Sequence, residues 1–274
     1  RGEDVTNAVL EAIEKACERG SIKIEDVEGV GIGSIGTIDE EKGEIQRPAN
    51  LPQGVERISL RGPIRELVDS DVRLYNDTTL AVIGERFYSD SKPENIVYLS
   101  ISSGIGAGVI VDGNALKGRK NGAGEAGHTV VDPAGRRVCG CGREGHWEAY
   151  SSGENIPGYA RFLFEGSNFE DTELSLEEGL EASDVFRHAP EDEFANYVVE
   201  KIADWNAIGV TNLIQSYAPS VIRVGGGVAL NNESLVIDPI REKVKEMSFN
   251  ELPRIEMSGL GEEAVIRGGI AIFL

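Results

Sequence analysis

Two of the three histidines and two of the three cysteines in this 274-residue chain, His128, Cys139, Cys141 and His146, fall within 19 consecutive residues. No other feature constrains the fold as much. Pro133, Gly135, Gly140, Gly142 and Gly145 lie in the same stretch. They are residues of a loop that turns back on itself. Two thiolates and two imidazoles complete a tetrahedral zinc shell without an open position, which is the make-up of a structural site. Zinc there would add folding free energy to a segment with little core of its own. The plainer alternative is two loop histidines and two unpaired thiols. The spacing is not that of a nucleic-acid zinc finger, and the loop offers no recognition helix.

On either side of this loop, strand-like and helix-like patterns alternate, which predicts an α/β protein. Val5, Val9, Leu10, Ile13 and Cys17 recur at helical spacing over residues 3–19, with Gly20 as a stop. Strands are predicted at 29–35, 72–75, 95–102, 107–111, 220–224 and 254–257, with a hairpin over 38–46. Helices are predicted at 63–68, from Asp77 onward, over much of 175–217, near 237–248 and at the C-terminus. Residues 113–153 read as irregular. A chain this long exceeds what one core usually serves, so two lobes are expected.

A net charge of −20 opposes nucleic acid or an anionic membrane as partner, because phosphate rewards positive charge. No apolar run approaches the roughly 18 residues of a membrane span. Three cysteines make no disulfide framework, and the segment RGEDVTNAVLEAIEKA lacks a secretion-signal pattern, so a reducing, cytoplasmic setting is expected.

Ser102-Ser103-Gly104-Ile105-Gly106 follows one strand and is followed by another, VIVDGN. A dinucleotide-binding turn would open into a helix. Strand, glycine turn, strand is a hairpin, which either serves only its own turn or cradles phosphate with successive N–H groups. Gly225, Gly226 and Gly227 after a later strand are a second place where a ligand can approach bare backbone. No GxxxxGK[ST] loop is present. Asp77, between strand and helix, is either an N-cap or an acid–base residue, and as an unperturbed carboxylate it would be ionised at neutral pH. Glu125 and His128 sit in a glycine-rich loop, where polar residues more often bind or catalyse. Glu148 is either surface charge or a ligand-binding group.

In order, GIGSIGTID, PANLP, YNDTTLAVIGE, SISSGIGAGV, GAGEAGHTVV, CGCGREGHWEAYSSG and VGGGVAL resemble the ROK family (repressors, open reading frames, kinases) of the actin-like ATPase superfamily. The resemblance runs from about residue 28 to the end and is most specific from Gly124 to Tyr150. It implies a two-lobed actin-like (ribonuclease H-like) fold with the active site between the lobes. A smaller lobe would take residues 1–90, and a larger lobe, carrying the zinc loop 128–146, residues 91–274. It also implies an ATP-dependent hexose kinase, glucokinase first, with Asp77 as general base. Asn50, Asn76, Asp77, Glu125, His128 and Glu148 match sugar-binding positions. Ser102, Ser103, Gly104 and Gly106 match the phosphate hairpin, and Gly225, Gly226 and Gly227 the adenosine-side turn. His128, Cys139, Cys141 and His146 match the zinc ligands, with Mg²⁺ arriving with ATP and a homodimer as the assembly.

Four departures accompany the match. The DxGGT-like hairpin with which relatives begin is not in these residues. His146 stands in place of a common third cysteine, and Ile35 in place of a common proline. Thr78 and Thr79 replace smaller residues, which is expected to narrow the sugar pocket. The alternative within the family is a sugar-sensing transcriptional regulator or a catalytically inactive sugar-binding protein.

Overall fold

The computed structural model describes residues 2–46 and 55–274. The first part comprises α1 (Gly2–Gly20), β1 (Gly29–Ser34), β2 (Thr37–Asp39), β3 (Glu44–Gln46), β4 (Arg57–Ser59), α2 (Arg61–Val68), β5 (Asp71–Asn76) and α3 (Asp77–Phe87). Then come β6 (Ile96–Ile101), β7 (Ile105–Val111) and β8 (Asn114–Ala115), and after the irregular stretch α4 (Glu148–Ser151), α5 (Ile156–Glu165), α6 (Ala182–His188) and α7 (Glu193–Tyr217). The chain closes with β9 (Val221–Gly225), α8 (Gly227–Asn231), α9 (Glu233–Met247), β10 (Arg254–Met257) and α10 (Ala264–Ala271).

These strands form three sheets among the described residues: a parallel pair β1-β5, an antiparallel β2-β3-β4, and a five-stranded β10-β9-β6-β7-β8. In the large sheet β6 runs parallel to β9 and antiparallel to β7. Its central strand β6 reads IVYLSI with five of six residues buried, the near-continuous burial of a strand covered on both faces. Two main cores result. Ile38, Ile45, Ile58, Ile64, Val72 and Leu74 pack between the small sheets and helices α1 and α2. The larger core joins the five-stranded sheet to α4–α9, with Trp147, Tyr150 and Phe194 among its largest side chains.

Helix α3 joins the two. A Cβ added at Gly108 of β7 would lie 1.9 Å from the Thr78 carbonyl oxygen, and one at Gly268 of α10 would lie 1.8 Å from that of Leu80. Only glycine permits either approach, so β7 and α10 both rest directly on the α3 backbone. The far end of α3 is fixed by Glu85, 3% exposed, which accepts from the Ser258 hydroxyl and the Leu260 N–H (3.2 Å) and lies 3.7 Å from Arg223. The start of α3 is therefore a rigid mount.

The expected strands and helices are found in the expected order, with β4, β8, α5 and the short helices α4 and α8 in addition. Helix α5 occupies 156–165, and its Pro157 is tolerated because it falls in the first turn. Residues 175–181 are not helical, and α6 begins only at Ala182, where Glu181 and Asp184 form a capping box. No helix among the described residues is long and apolar enough to cross a membrane.

Candidate active site

Strand β5 ends at Asn76, whose Oδ1 caps α3 by accepting from the Thr78 N–H (3.0 Å) and hydroxyl (2.6 Å). The cap is thus Asn76. Asp77, one position on, keeps one oxygen on the Thr78 N–H (2.8 Å) and faces a cleft of about 580 Å³. Burial pushes the Asp77 carboxyl above its ordinary value, against the pull of the Thr78 and Asp77 N–H groups. The expectation of an unperturbed carboxylate is corrected here: desolvation, which a sequence does not display, shifts it.

The same cleft is lined by Ile35, Asn76 and Thr78 on Asp77's side, by Ser102, Ser103, Gly104 and Gly106 of the β6–β7 turn, and by Glu125, His128 and Glu148 opposite. Thr78 lies within it; Thr79 is 2% exposed and does not line it. The hairpin turn is set by Ser102 N–H to Gly104 O (2.9 Å), and Gly153 and Glu154 donate to Ser102 O (2.7 Å) and Ser103 O (3.2 Å). Glu148 is no free surface charge. Its Oε2 accepts from the Ile105 N–H (2.9 Å), and its Oε1 lies 3.6 Å from Cys139 Sγ.

Gly124, Glu125 and His128 reach the cleft, with Gly124, at φ +84°, so close to β7 that a Cβ would stand 1.8 Å from Ala107 O. Its carbonyl accepts from the Ala107 N–H at 2.8 Å. Glu125 follows directly. Burial raises its carboxyl pKa; the neighbouring His128 opposes this, and Glu148 and Asp77 reinforce it. Four carboxylates, Asp77, Glu125, Glu148 and Glu154, line this cleft against one imidazole. Such a surface accepts hydrogen bonds from a neutral polyhydroxylated molecule and repels an unneutralised anion.

A second cavity, also about 580 Å³, adjoins the first; Ser103 and Glu154 line both, and Gly227 lines the second. Gly225 and Gly226 line neither. A Cβ at Gly225 would meet the Tyr98 hydroxyl at 2.3 Å, and one at Gly226 (φ +86°) the Ile101 carbonyl at 2.5 Å. Both therefore serve the packing of β9 on β6 in this structure. Asn50 lies outside the described residues. Glu154 and Asn155 also line the cleft. Nothing in the sequence singles them out beyond their place directly after the glycine of SSG.

The ligand atoms of His128, Cys139, Cys141 and His146 all lie within 4.8 Å of one another. Cys139 Sγ is 3.7 Å from His128 Nδ1, and Cys141 Sγ is 3.3 Å from His146 Nδ1. A tetrahedral ion with bonds of 2.0–2.3 Å separates nitrogen from sulfur by about 3.5 Å, so the donor set fits such an ion. Asp132, 2% exposed, secures the loop's base by accepting from Tyr150 Oη (2.6 Å), Arg136 Nε (2.9 Å) and the Ala134 N–H (3.1 Å). The Arg136 guanidinium, outweighing burial, and Tyr150 hold its carboxyl well below the usual range. His128 directs Nδ1 to this cluster, and its Nε2 lies 3.9 Å from Glu125 on the cleft side.

Known proteins resemble this chain in sequence and in backbone. The model of the ROK family matches residues 2–274. A glucokinase from Thermotoga maritima is 32% identical over 98% of this chain and 85% of its own length. The crystal structure of a ROK family glucokinase from Streptomyces griseus, in complex with glucose and AMPPNP, matches at a TM-score of 0.79 and 27% identity, covering 98% of this chain and 87% of that one. A ROK family transcriptional regulator, a homolog of the Escherichia coli MLC protein, matches at a TM-score of 0.82 and 25% identity, covering 98% and 68%. With its sequence matched to one family model from residue 2 to residue 274 and its backbone superposing on that family's structures, this chain belongs to the ROK family.

Proposed function

We propose that this protein is an ATP-dependent hexose kinase of the glucokinase type, with Asp77 as its general base. The observation that carries the reading is the placement of Asp77, rigidly mounted, in an acidic cleft that shares Ser103 and Glu154 with a second cavity. In this reading the sugar occupies the first cavity and the nucleotide the second. Asn76, Glu125, His128 and Glu148 accept or donate hydrogen bonds to the sugar hydroxyls and orient one of them toward Asp77. Asp77 takes the proton as that oxygen bonds to the γ-phosphorus and the bond from phosphorus to the bridging oxygen breaks, releasing ADP. The turn at 102–106 offers backbone N–H groups to the phosphates. Mg²⁺ arriving with ATP neutralises phosphate charge, which the carboxylate-lined cleft does not do. Phosphoryl transfer of this kind relies on positioning and electrostatics.

The glucokinase relatives support glucose as the first substrate to test. Zinc is the ion we assign to the Cys₂His₂ cluster, where it would hold His128 and its loop without entering the chemistry. The smaller lobe is taken as residues 1–90 and the larger as 91–274, with a cytoplasmic homodimer as the working form.

Release of ADP from ATP and Mg²⁺ over a panel of hexoses tests the reading, and glucose-dependent turnover is the expected result. The match to a transcriptional regulator favours a second reading, a sugar sensor. Tight sugar binding without any ADP release would establish the sensor and overturn the kinase.

The raised Asp77 carboxyl also sets a pH dependence. The base must be ionised to accept the proton, and a raised value keeps it protonated to higher pH than a free aspartate. kcat/KM for the sugar is therefore expected to fall with acidification, along a limb centred above 3.8, the ordinary aspartate value. A pH–rate profile that stays flat down to that value would contradict this role for Asp77.

A further inference from the structure

The loop that delivers Glu125 to the cleft is gripped by a residue that does not itself line the cleft. Glu40 stands at the turn between β2 and β3. Its Oε1 accepts from Lys117 Nζ (3.1 Å) and from Asn121 Nδ2 (3.2 Å). Lys117 also lies 4.3 Å above the Tyr75 ring, two residues before Asp77. Lys117 and Asn121 open the segment that runs through Ala123, whose N–H donates to the Lys117 carbonyl at 3.0 Å, to Gly124 and Glu125.

Each side of this clasp shows a mark of purpose. The β2–β3 turn is stiffened from beneath: Gly43 N–H donates to Asp39 O (2.8 Å), Gly43 O accepts from Leu60 and Arg61, and Arg61 also reaches the Glu40 carbonyl. Glu40 is therefore held out on a rigid hairpin. Opposite, Lys120 and Asn121 both have φ +55°, a left-handed backbone that non-glycine residues rarely keep unless their surroundings over-determine it. Asn121 is 5% exposed, and its only side-chain hydrogen bond among the described residues is the one to Glu40. Lys117 and Glu40 are 38% and 43% exposed, so their ion pair alone would contribute little. The buried amide makes the contact matter, because without Glu40 it has no partner. Burial opposes ionisation of Glu40, yet Lys117 and Asn121 outweigh it and hold the carboxyl below its ordinary value.

We propose that Glu40 is a positioning residue for sugar binding: through Asn121 and Lys117 it holds the 117–124 loop, and with it Glu125, in place for the sugar. The proposal rests on reading the cleft as a sugar site, and its test separates the two.

Hydrogen exchange of the amides of residues 118–126 in the free, full-length protein reads the clasp without any sugar. Calorimetric glucose affinity and KM for ATP read its consequence. In Glu40→Ala the exchange of these amides is expected to speed up, and glucose affinity to drop, each by about tenfold, the worth of a lost charge-assisted hydrogen bond, while KM for ATP stays within about twofold. Glu40→Gln keeps an acceptor for Asn121 and is expected to recover most of both losses. Unchanged exchange in Glu40→Ala overturns the clasp. Faster exchange with unchanged glucose affinity overturns the positioning role, as does an equal rise in KM for ATP, which would mark general loosening. Faster exchange in a protein whose wild type binds no hexose leaves the clasp standing and overturns the sugar-site reading instead.

Discussion

Asp77→Asn is expected to lower kcat by about 10²–10⁴-fold, the range of general base catalysis, and to leave sugar affinity within a few-fold. The substitution is nearly isosteric, and its side-chain oxygen can still accept from the Thr78 N–H, which lies 2.8 Å from the carboxylate. The cap of α3 belongs to Asn76 and is untouched. What disappears is the capacity to take a proton. Stability should move the other way. Burial raises the Asp77 carboxyl in the folded protein, so the folded state favours the protonated form. The charged form therefore costs stability at every pH above the folded value, and a neutral amide removes that cost. At neutral pH the variant is expected to melt at or slightly above the wild-type temperature while catalysing little. Steady-state kinetics with a thermal melt on the same sample would check both halves. A variant with full activity on every sugar the wild type accepts would sink Asp77 as the base, and one that melted well below the wild type would show its role to be structural.

Metal removal is expected to have the second large effect. A chelator strong enough to strip zinc, or the pair Cys139→Ser and Cys141→Ser, should abolish sugar binding and lower the melting temperature. His128 stands in both the cluster and the cleft, and Glu148 lies between Cys139 and the Ile105 N–H. Loosening the cluster therefore disturbs the opposite wall of the cleft from Asp77. The stability loss should fall short of the roughly 10–16 kcal/mol seen when a zinc-finger peptide loses its ion, because the base of this loop is independently tied. Asp132 secures one end, and Val131 and Asp132 donate to Gly145 O at 2.9 and 3.1 Å. A loss of about 3–5 kcal/mol would lower the midpoint by about 10 °C in a chain of this size. Metal analysis by mass spectrometry, with melts before and after chelation and after zinc is returned, would follow the whole cycle. Unchanged melting and sugar affinity in a protein shown to be metal-free would remove the cluster from the account.

Much of this was legible in the residues because it is local. The strand–glycine–strand reading of 95–111 holds, since Ile96–Ile101 and Ile105–Val111 pair antiparallel around the turn at 102–104. The Cys/His cluster was legible from spacing alone, and the structure brings those four side chains together. What the sequence did not display depends on partners far along the chain. The glycines at 225 and 226 are legible as a turn with bare backbone, but what packs on them is not. Only the fold places Tyr98 and Ile101 against them. Glu40 reads as one acid among four in DEEKGE, and the residues it grips lie 77 and 81 positions away. The shift of Asp77 has the same origin, since desolvation is set by what packs around a carboxylate and not by its neighbours in sequence. Asn50, expected at the sugar, falls outside the described residues.

The approach of α10 to α3 bears on when, during synthesis, this protein acquires its site. Gly268 lies against the Leu80 carbonyl, three residues beyond Asp77, yet 187 positions separate Asp77 from the first residue of α10. At typical elongation rates of about 5–20 residues per second, roughly 10–40 s pass between the emergence of Asp77 and that of the helix backing it. Throughout that interval the face of α3 that α10 covers, and the side of β1 it also packs on, are without their partner. A ribosome-bound chain stopped short of residue 264 should accordingly hold a folded hairpin and Cys/His loop but not the rigid mount of Asp77.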